Sequence, residues 1–199
     1  MNRASLGRLL VAVAYLEGDF VLRSGRHSRY YLDKYLFETE PRVLRGIVNE
    51  MALMIRNRMA AGVVYDRLAA PELGAVSLGA GLSLESGIPF LIVRKGEKGY
   101  GTSKAIEGAF VPRDRVALVE DIVTSGGAAL AAVEKLRQVG LVVEDLFCVV
   151  DREEGGAEAA LAAGLTLRPL FTASGLGIVV GSADERSDRG DPTGGEPAS

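Results

Sequence analysis

Tryptophan is absent from this sequence, histidine and cysteine occur once each, and no apolar run is long enough to cross a membrane. Each scarcity removes a class of function. A lone His27 cannot build a histidine-rich metal cluster, and a Ser-His-Asp triad finds no histidine anywhere else in the chain. Cys148 has no partner for an internal disulfide; in the apolar run LFCVV it reads as a buried thiol rather than a nucleophile, in keeping with a reducing, cytoplasmic setting. Arg3, Arg8, Glu17 and Asp19 break up the opening segment, which therefore lacks the apolar stretch of a signal or anchor. Nor is the chain basic. A formal net charge of -3 argues against a general nucleic-acid-binding surface and confines any anion chemistry to a local site.

What is present is apolar content, 48% of 199 residues, enough to bury one core with a small appended element. Leu6, Leu9, Leu10, Val13 and Leu16 recur at helical spacing before Gly18, predicting a helix from Ser5 to Leu16. From Phe20 to Asp33, β-formers flank a Ser-Gly-Arg-His-Ser stretch, as in a short hairpin or hood-like arm outside the main sheet. Thr39 and Pro41 then start a second helix whose stripe of Leu44, Ile47, Val48, Met51, Met54 and Ile55 reads as core packing, not as a cofactor box.

Beyond it, short apolar runs at 62–66, 88–94, 115–120, 142–150 and 165–171 alternate with helical stretches at 73–85, 128–139 and 157–163. That alternation predicts an α/β fold: a mostly parallel central sheet flanked by helices, joined by right-handed crossovers. From Ser182 to Ser199 large apolar side chains nearly vanish, so a disordered tail is expected. The expected organisation is an N-terminal hood of about 1–40, a core of about 41–181 and the tail 182–199.

The segment Val116 to Leu130, VALVEDIVTSGGAAL, carries the most chemistry. A strand brings the acidic pair Glu120 and Asp121 to its carboxyl end; Thr124, Ser125, Gly126 and Gly127 follow, directly before an Ala-rich helix beginning near Ala128. Small residues let backbone N–H groups approach phosphate oxygens at the positive end of a helix, and carboxylates can accept hydrogen bonds from ribose hydroxyls. Alone, Thr-Ser-Gly-Gly also suits an ordinary βα turn with an acidic cap. It is neither a Walker loop nor a dinucleotide fingerprint, since no Gly-Lys-Thr/Ser and no Gly-x-Gly-x-x-Gly is present there.

Three further stretches bear charge. Arg94 to Gly101, RKGEKGYG, combines three cations with three glycines, the composition of a mobile basic loop able to close on a pyrophosphate, or of a plain solvated loop. Asp151 to Gly155, DREEG, sets Arg152 at a strand's exit, where a guanidinium offers paired donors to a carboxylate; an exposed charged turn is the alternative. Leu22 to Asp33, LRSGRHSRYYLD, adds Arg23, Tyr30 and Tyr31, with His27 read as a surface residue.

Together these segments resemble the type I phosphoribosyltransferases, and among them the orotate phosphoribosyltransferase family. The hydrophobic run, two acids and Thr-Ser-Gly-Gly look like the phosphoribosyl pyrophosphate signature; RKGEKGYG resembles the catalytic loop Arg-Lys-x-x-Lys-x-His-Gly. LRSGRHSRYYLD resembles Leu-Lys-Ser-Gly-x-x-Ser-Pro-Tyr-Tyr, and DREEG resembles Asp-Arg-x-Glu-Gly. The resemblance implies a type I phosphoribosyltransferase fold, a glycosyltransferase activity of pyrimidine biosynthesis, Mg2+ as cofactor, and a homodimer that shares the catalytic loop between subunits. It implies Lys98, Glu120 and Asp121 as catalytic residues, and Arg94, Lys95, Lys98 and the run from Glu120 through Ile122, Val123, Thr124, Ser125, Gly126 and Gly127 to Ala128 as the phosphoribosyl pyrophosphate site. Arg23, Tyr30, Tyr31, Thr124 and Arg152 would meet orotate, Tyr31 lying against the pyrimidine; no side chain is assigned directly to metal.

The chain departs from the pattern at Tyr100 for histidine, Arg23 for lysine and Arg29 for proline. In Asp66 to Gly74, expected to be a pyrophosphate loop after the first core strand, Ala69 departs as well, and Ala75 beyond it, each standing where the family has glycine. A phosphoribosyl-binding paralogue with regulatory or weak activity, or a transferase for another base, are the rival readings.

Overall fold

The computed structural model describes residues 1–21, 27–96 and 105–178, with the side chains of 27 and 28 excepted. Arg23, Lys98, Tyr100 and the expected tail from 182 lie outside the described residues.

The chain opens with α1 (Arg3–Ala14), capped by the Asn2 side chain on the N–H of Ser5. Leu6, Leu10 and Ala14 form its fully buried stripe. The helix ends two residues before the expected Leu16, because Tyr15 already belongs to β1 (Tyr15–Val21), which pairs antiparallel with β2 (His27–Leu32). Cross-strand contacts win there over helical spacing: Tyr15 stacks on Tyr30 at 5.7 Å between ring centres, and Leu16, paired with Tyr31, is left half exposed. The hairpin stands apart from the main sheet, as expected of the hood.

A short helix, α2 (Lys34–Thr39), was not legible beforehand; the Asp33 side chain caps it by accepting from the N–H of Tyr35 at 3.0 Å. The following α3 (Pro41–Ala60) starts with Pro41 in its first turn and is capped by Glu40, not by Thr39, which closes α2. Its stripe of Val43, Ile47, Val48, Met51 and Ile55 is buried.

The main sheet has six strands in the order β5-β4-β3-β6-β7-β8, parallel except for the edge strand β5. These strands are β3 (Arg67–Pro71), β4 (Phe90–Val93), β5 (Ile106–Glu107), β6 (Arg115–Val123), β7 (Val142–Asp151) and β8 (Thr166–Thr172). The helices α4 (Ala75–Ser86), α5 (Gly127–Gln138) and α6 (Gly156–Ala162) are the crossovers that parallel neighbours need. One apolar cluster joins α1, α2, α3 and α4 to one face of the sheet, and a second joins α5 and α6 to the other.

The expected first core strand at 62–66 is displaced: the strand is Arg67–Pro71, so most of the anticipated loop is strand and only Glu72 to Gly74 remain as its exit. The run Leu-Ala-Ala reads weakly as strand because alanine has little β-propensity. Packing decides otherwise. Ala69 and Ala70 are fully buried, and α4 comes so close at Gly79 that a Cβ there would lie 2.7 Å from that of Ala70. β6 also runs past the expected end at Glu120, carrying the acids and Val123 within it.

Candidate functional site

The carboxyl ends of β3, β4, β6 and β7 meet on one edge of the sheet, and the chain reverses its direction of winding between β3 and β6. Open α/β sheets bind ligands at such a switch point. Glu120, Asp121, Arg152, Arg94 and the Thr124–Gly127 turn all lie at this edge, so segments far apart in sequence are brought together.

β6 gives way to α5 through Thr124, Ser125 and Gly126. Gly126 takes the left-handed conformation at φ 83, and no side chain caps the helix. Among the described residues the first N–H groups of α5 therefore have neither an intrahelical nor a side-chain partner, and Ser125, Gly127 and Ala128 are exposed around them. Ile122 and Val123 remain strand residues; the Val123 carbonyl accepts from the N–H of Arg152 at 2.8 Å, stitching the phosphate-type turn to the exit of β7.

Glu120 and Asp121 are both buried. Burial, then the neighbouring Asp121 charge, pushes the Glu120 carboxyl up to about 8. Asp121 is held on both oxygens: Oδ1 accepts from the N–H of Ile122 at 2.5 Å, and Oδ2 from the Lys34 ammonium at 2.7 Å. Burial acts to lower the Lys34 pKa, but the hydrogen bond and charge of Asp121 outweigh it and hold it above its ordinary value. Gly74, at the β3 exit, is the other wall: a Cβ there would lie 1.8 Å from Asp121 Oδ2 and 2.6 Å from Lys34 Nζ. Glu38, one turn along α2, is buried with no hydrogen-bond partner for Oε1 among the described residues, and burial together with the Asp121 charge raises its carboxyl to about 8. Lys34, Glu38 and Gly74 were not singled out from sequence, although Lys34 and Glu38 stand four residues apart, the spacing of a helical pair.

Arg152 is buried at the exit of β7. Its Nη2 donates to the Tyr30 hydroxyl at 3.0 Å and pairs with Glu154 at 2.9 Å, and its guanidinium lies 5.0 Å from the Tyr30 ring centre. Among the described residues its Nε has no hydrogen-bond partner. The turn behind it is tied down, the Asp151 carboxylate accepting from the N–H of Glu153 and the Glu153 carboxylate from the N–H and hydroxyl of Ser174. Tyr31 is not in this stack: it is more exposed and faces Phe20 at 5.6 Å.

The basic segment begins at the exit of β4. Arg94 lies between Glu72 at 3.8 Å and Glu107 at 3.7 Å, and among the described residues its Nε has no hydrogen-bond partner. The Lys95 N–H donates to Glu72 at 2.7 Å, and Lys135 of α5 donates to the carbonyls of both Arg94 and Lys95. The Lys95 side chain is exposed, and Lys98 lies outside the described residues.

The arrangement combines an open helix terminus suited to phosphate, acids suited to hydroxyls or developing positive charge, and guanidinium N–H groups left for an anion. No family model matches the chain. It is 48% identical to the orotate phosphoribosyltransferase of Methanocella arvoryzae, over 80% of this chain and 87% of that one. The same identity holds with the orotate phosphoribosyltransferase of Methanothermobacter thermautotrophicus, over 79% of this chain and 83% of that one. Among solved structures it superposes on Mycobacterium tuberculosis orotate phosphoribosyltransferase in complex with 5-phospho-α-D-ribosyl 1-diphosphate, with 32% identity and a TM-score of 0.71 over 88% of this chain and 98% of that one.

Proposed function

The chain belongs to the orotate phosphoribosyltransferase family, and from that premise we propose that its switch-point site transfers ribose 5-phosphate from phosphoribosyl pyrophosphate to orotate, giving orotidine 5'-monophosphate and pyrophosphate. The observation that carries the reading is the juxtaposition of the buried acids of β6 with the uncapped start of α5.

In this reading Thr124, Ser125, Gly126, Gly127 and Ala128 receive the 5'-phosphate, and Glu120 and Asp121 face the ribose hydroxyls. The Asp121 carboxylate, held by Lys34, is the anionic group that would stabilise the positive charge C1' acquires as pyrophosphate leaves. Arg94, Lys95 and Lys98 take the departing pyrophosphate. Orotate lies by Arg152, Tyr30, Tyr31, Thr124 and Arg23, its carboxylate meeting the guanidinium. No protein nucleophile is required.

Among the described residues no group of three or more His, Cys, Asp or Glu side chains is arranged to hold a metal ion. Magnesium would enter with the donor, with no side chain assigned to it directly and Glu120 and Asp121 as the carboxylates on the ribose side, and when bound would neutralise phosphate charge. The active unit is proposed to be a homodimer sharing the loop that holds Lys98. Among the described residues no helix is long and apolar enough to cross a membrane.

Purified protein given orotate, phosphoribosyl pyrophosphate and Mg2+ is expected to form orotidine monophosphate and pyrophosphate, with no product from uracil, hypoxanthine or adenine. Lys98→Ala should cut turnover by about a hundredfold or more without unfolding. Donor binding with no turnover would replace this reading with that of a regulatory paralogue.

A further inference from the structure

The hood reaches the acid pair through α2, a contact that the reaction chemistry does not by itself require. Lys34 and Glu38 lie on one face of this short helix, which is pinned to the core by the fully buried Phe37. Lys34 meets Asp121 across 87 positions of sequence, at 2.7 Å. The carboxylate has little freedom left, with its other oxygen on the N–H of Ile122 and Gly74 packed against it so closely that no Cβ could be added. Glu38 presents a buried oxygen one turn behind that has no hydrogen-bond partner among the described residues. The same hood carries Tyr30, whose hydroxyl accepts from Arg152.

We propose that Lys34 is a positioning residue that holds Asp121 in the orientation that receives the ribose hydroxyls, and that Glu38, one helical turn away on the same face, supports that pair. The hood thereby couples the base-binding arginine to the sugar-binding acid, through Tyr30 on one side and Lys34 on the other. The inference rests on the reading of Asp121 as a ribose ligand. A methionine at 34 keeps the length of the side chain and removes its charge; an arginine keeps the charge and changes its geometry.

The test varies both substrates in steady state on the full chain and measures phosphoribosyl pyrophosphate binding by calorimetry. Lys34→Met should raise the KM for phosphoribosyl pyrophosphate about tenfold, leave the KM for orotate within about twofold, and weaken donor binding in parallel. Lys34→Arg should recover most of this, remaining about threefold above wild type, and Glu38→Gln should raise the donor KM by a similar about threefold. A merely structural role would lower the melting temperature and the active fraction without separating the two KM values. Folded Lys34→Met with an unchanged donor KM and affinity overturns the proposal, as does an equal rise in both KM values. Should Lys34→Met fail to fold, the donor-selective shift in Lys34→Arg and Glu38→Gln decides, and its absence in both is equally fatal. Wild-type protein that forms no orotidine monophosphate would sink the transferase reading, while equal donor affinities of wild type and variant would sink this inference alone.

Discussion

Two buried acidic centres occupy opposite ends of the same sheet and are treated in opposite ways. Toward the amino ends of the strands, Asp145 of β7 accepts from the Tyr65 hydroxyl, from Arg168 at 2.6 Å and from Arg58 at 3.4 Å. Burial would raise its pKa, yet those partners more than offset it and hold the carboxyl below its ordinary value. At the carboxyl ends, of the three neighbouring acids Glu38, Glu120 and Asp121, only Asp121 is ion-paired with Lys34 among the described residues. Burial and mutual repulsion push two of these carboxyls up to about 8. A carboxylate that serves the fold is surrounded by its donors. At the ligand site only Asp121 has such donors, and Glu38 and Glu120 beside it are buried against its charge without comparable compensation.

The contrast can be broken at either end. The largest effect is expected from Asp121→Asn, which should lower kcat/KM by about a hundred- to a thousandfold with no loss of melting temperature, since it relieves repulsion in a crowded site; a marked fall in thermal stability would place Asp121 with the structural acids. Asp145→Ala should do the reverse. Leaving the buried Tyr65 hydroxyl and two guanidiniums without their acceptor should cost about 2–4 kcal/mol in denaturant unfolding, while turnover per folded molecule stays within about twofold.

Titration sharpens the difference further. Glu38 and Glu120 keep their protons in the folded chain up to about 8, whereas unfolded carboxyls release them near 4.5, so the folded state binds more protons across that window. Their contribution to stability is complete below the unfolded value and is lost as pH rises through the folded one. The melting temperature of the free protein should fall by several degrees between about pH 6 and about pH 9, and Glu38→Gln should flatten that slope. A melting temperature that rises over this range would contradict the picture of under-compensated acids. The smallest effect is expected from Tyr30→Phe, which removes one acceptor from Arg152 and should raise the KM for orotate by about three- to tenfold while leaving that of the donor unchanged.

Much of the α/β frame could be read from the chain, because strands buried on both faces are continuous apolar runs and their crossover helices fall between them. β4, β7 and β8 lie where such runs occur. β3 did not, since alanines become a strand only when a helix as close as α4 demands small side chains. α2 escaped for a related reason: six residues give too little periodicity, and what holds them is Phe37 in the core and Asp33 at the cap. The acids, the Thr-Ser-Gly-Gly turn and Arg152 were visible as short local patterns of charge and small residues. Lys34 and Gly74 were not, because each matters only through a contact with a side chain far along the chain.

By itself, the sequence determined most of the order of strands and helices, with α2, β3 and β5 as the exceptions, and the local chemistry at strand exits, since both follow from nearest-neighbour pattern and residue type. Which strands became neighbours, and hence that β3 and β6 would part at a switch point with Gly74 against Asp121, was decided by tertiary packing. So was the charge state of the acids. A carboxyl's affinity for its proton depends on what surrounds it in space, and only the folded chain sets Lys34 on Asp121 and buries Glu38 and Glu120 beside that pair.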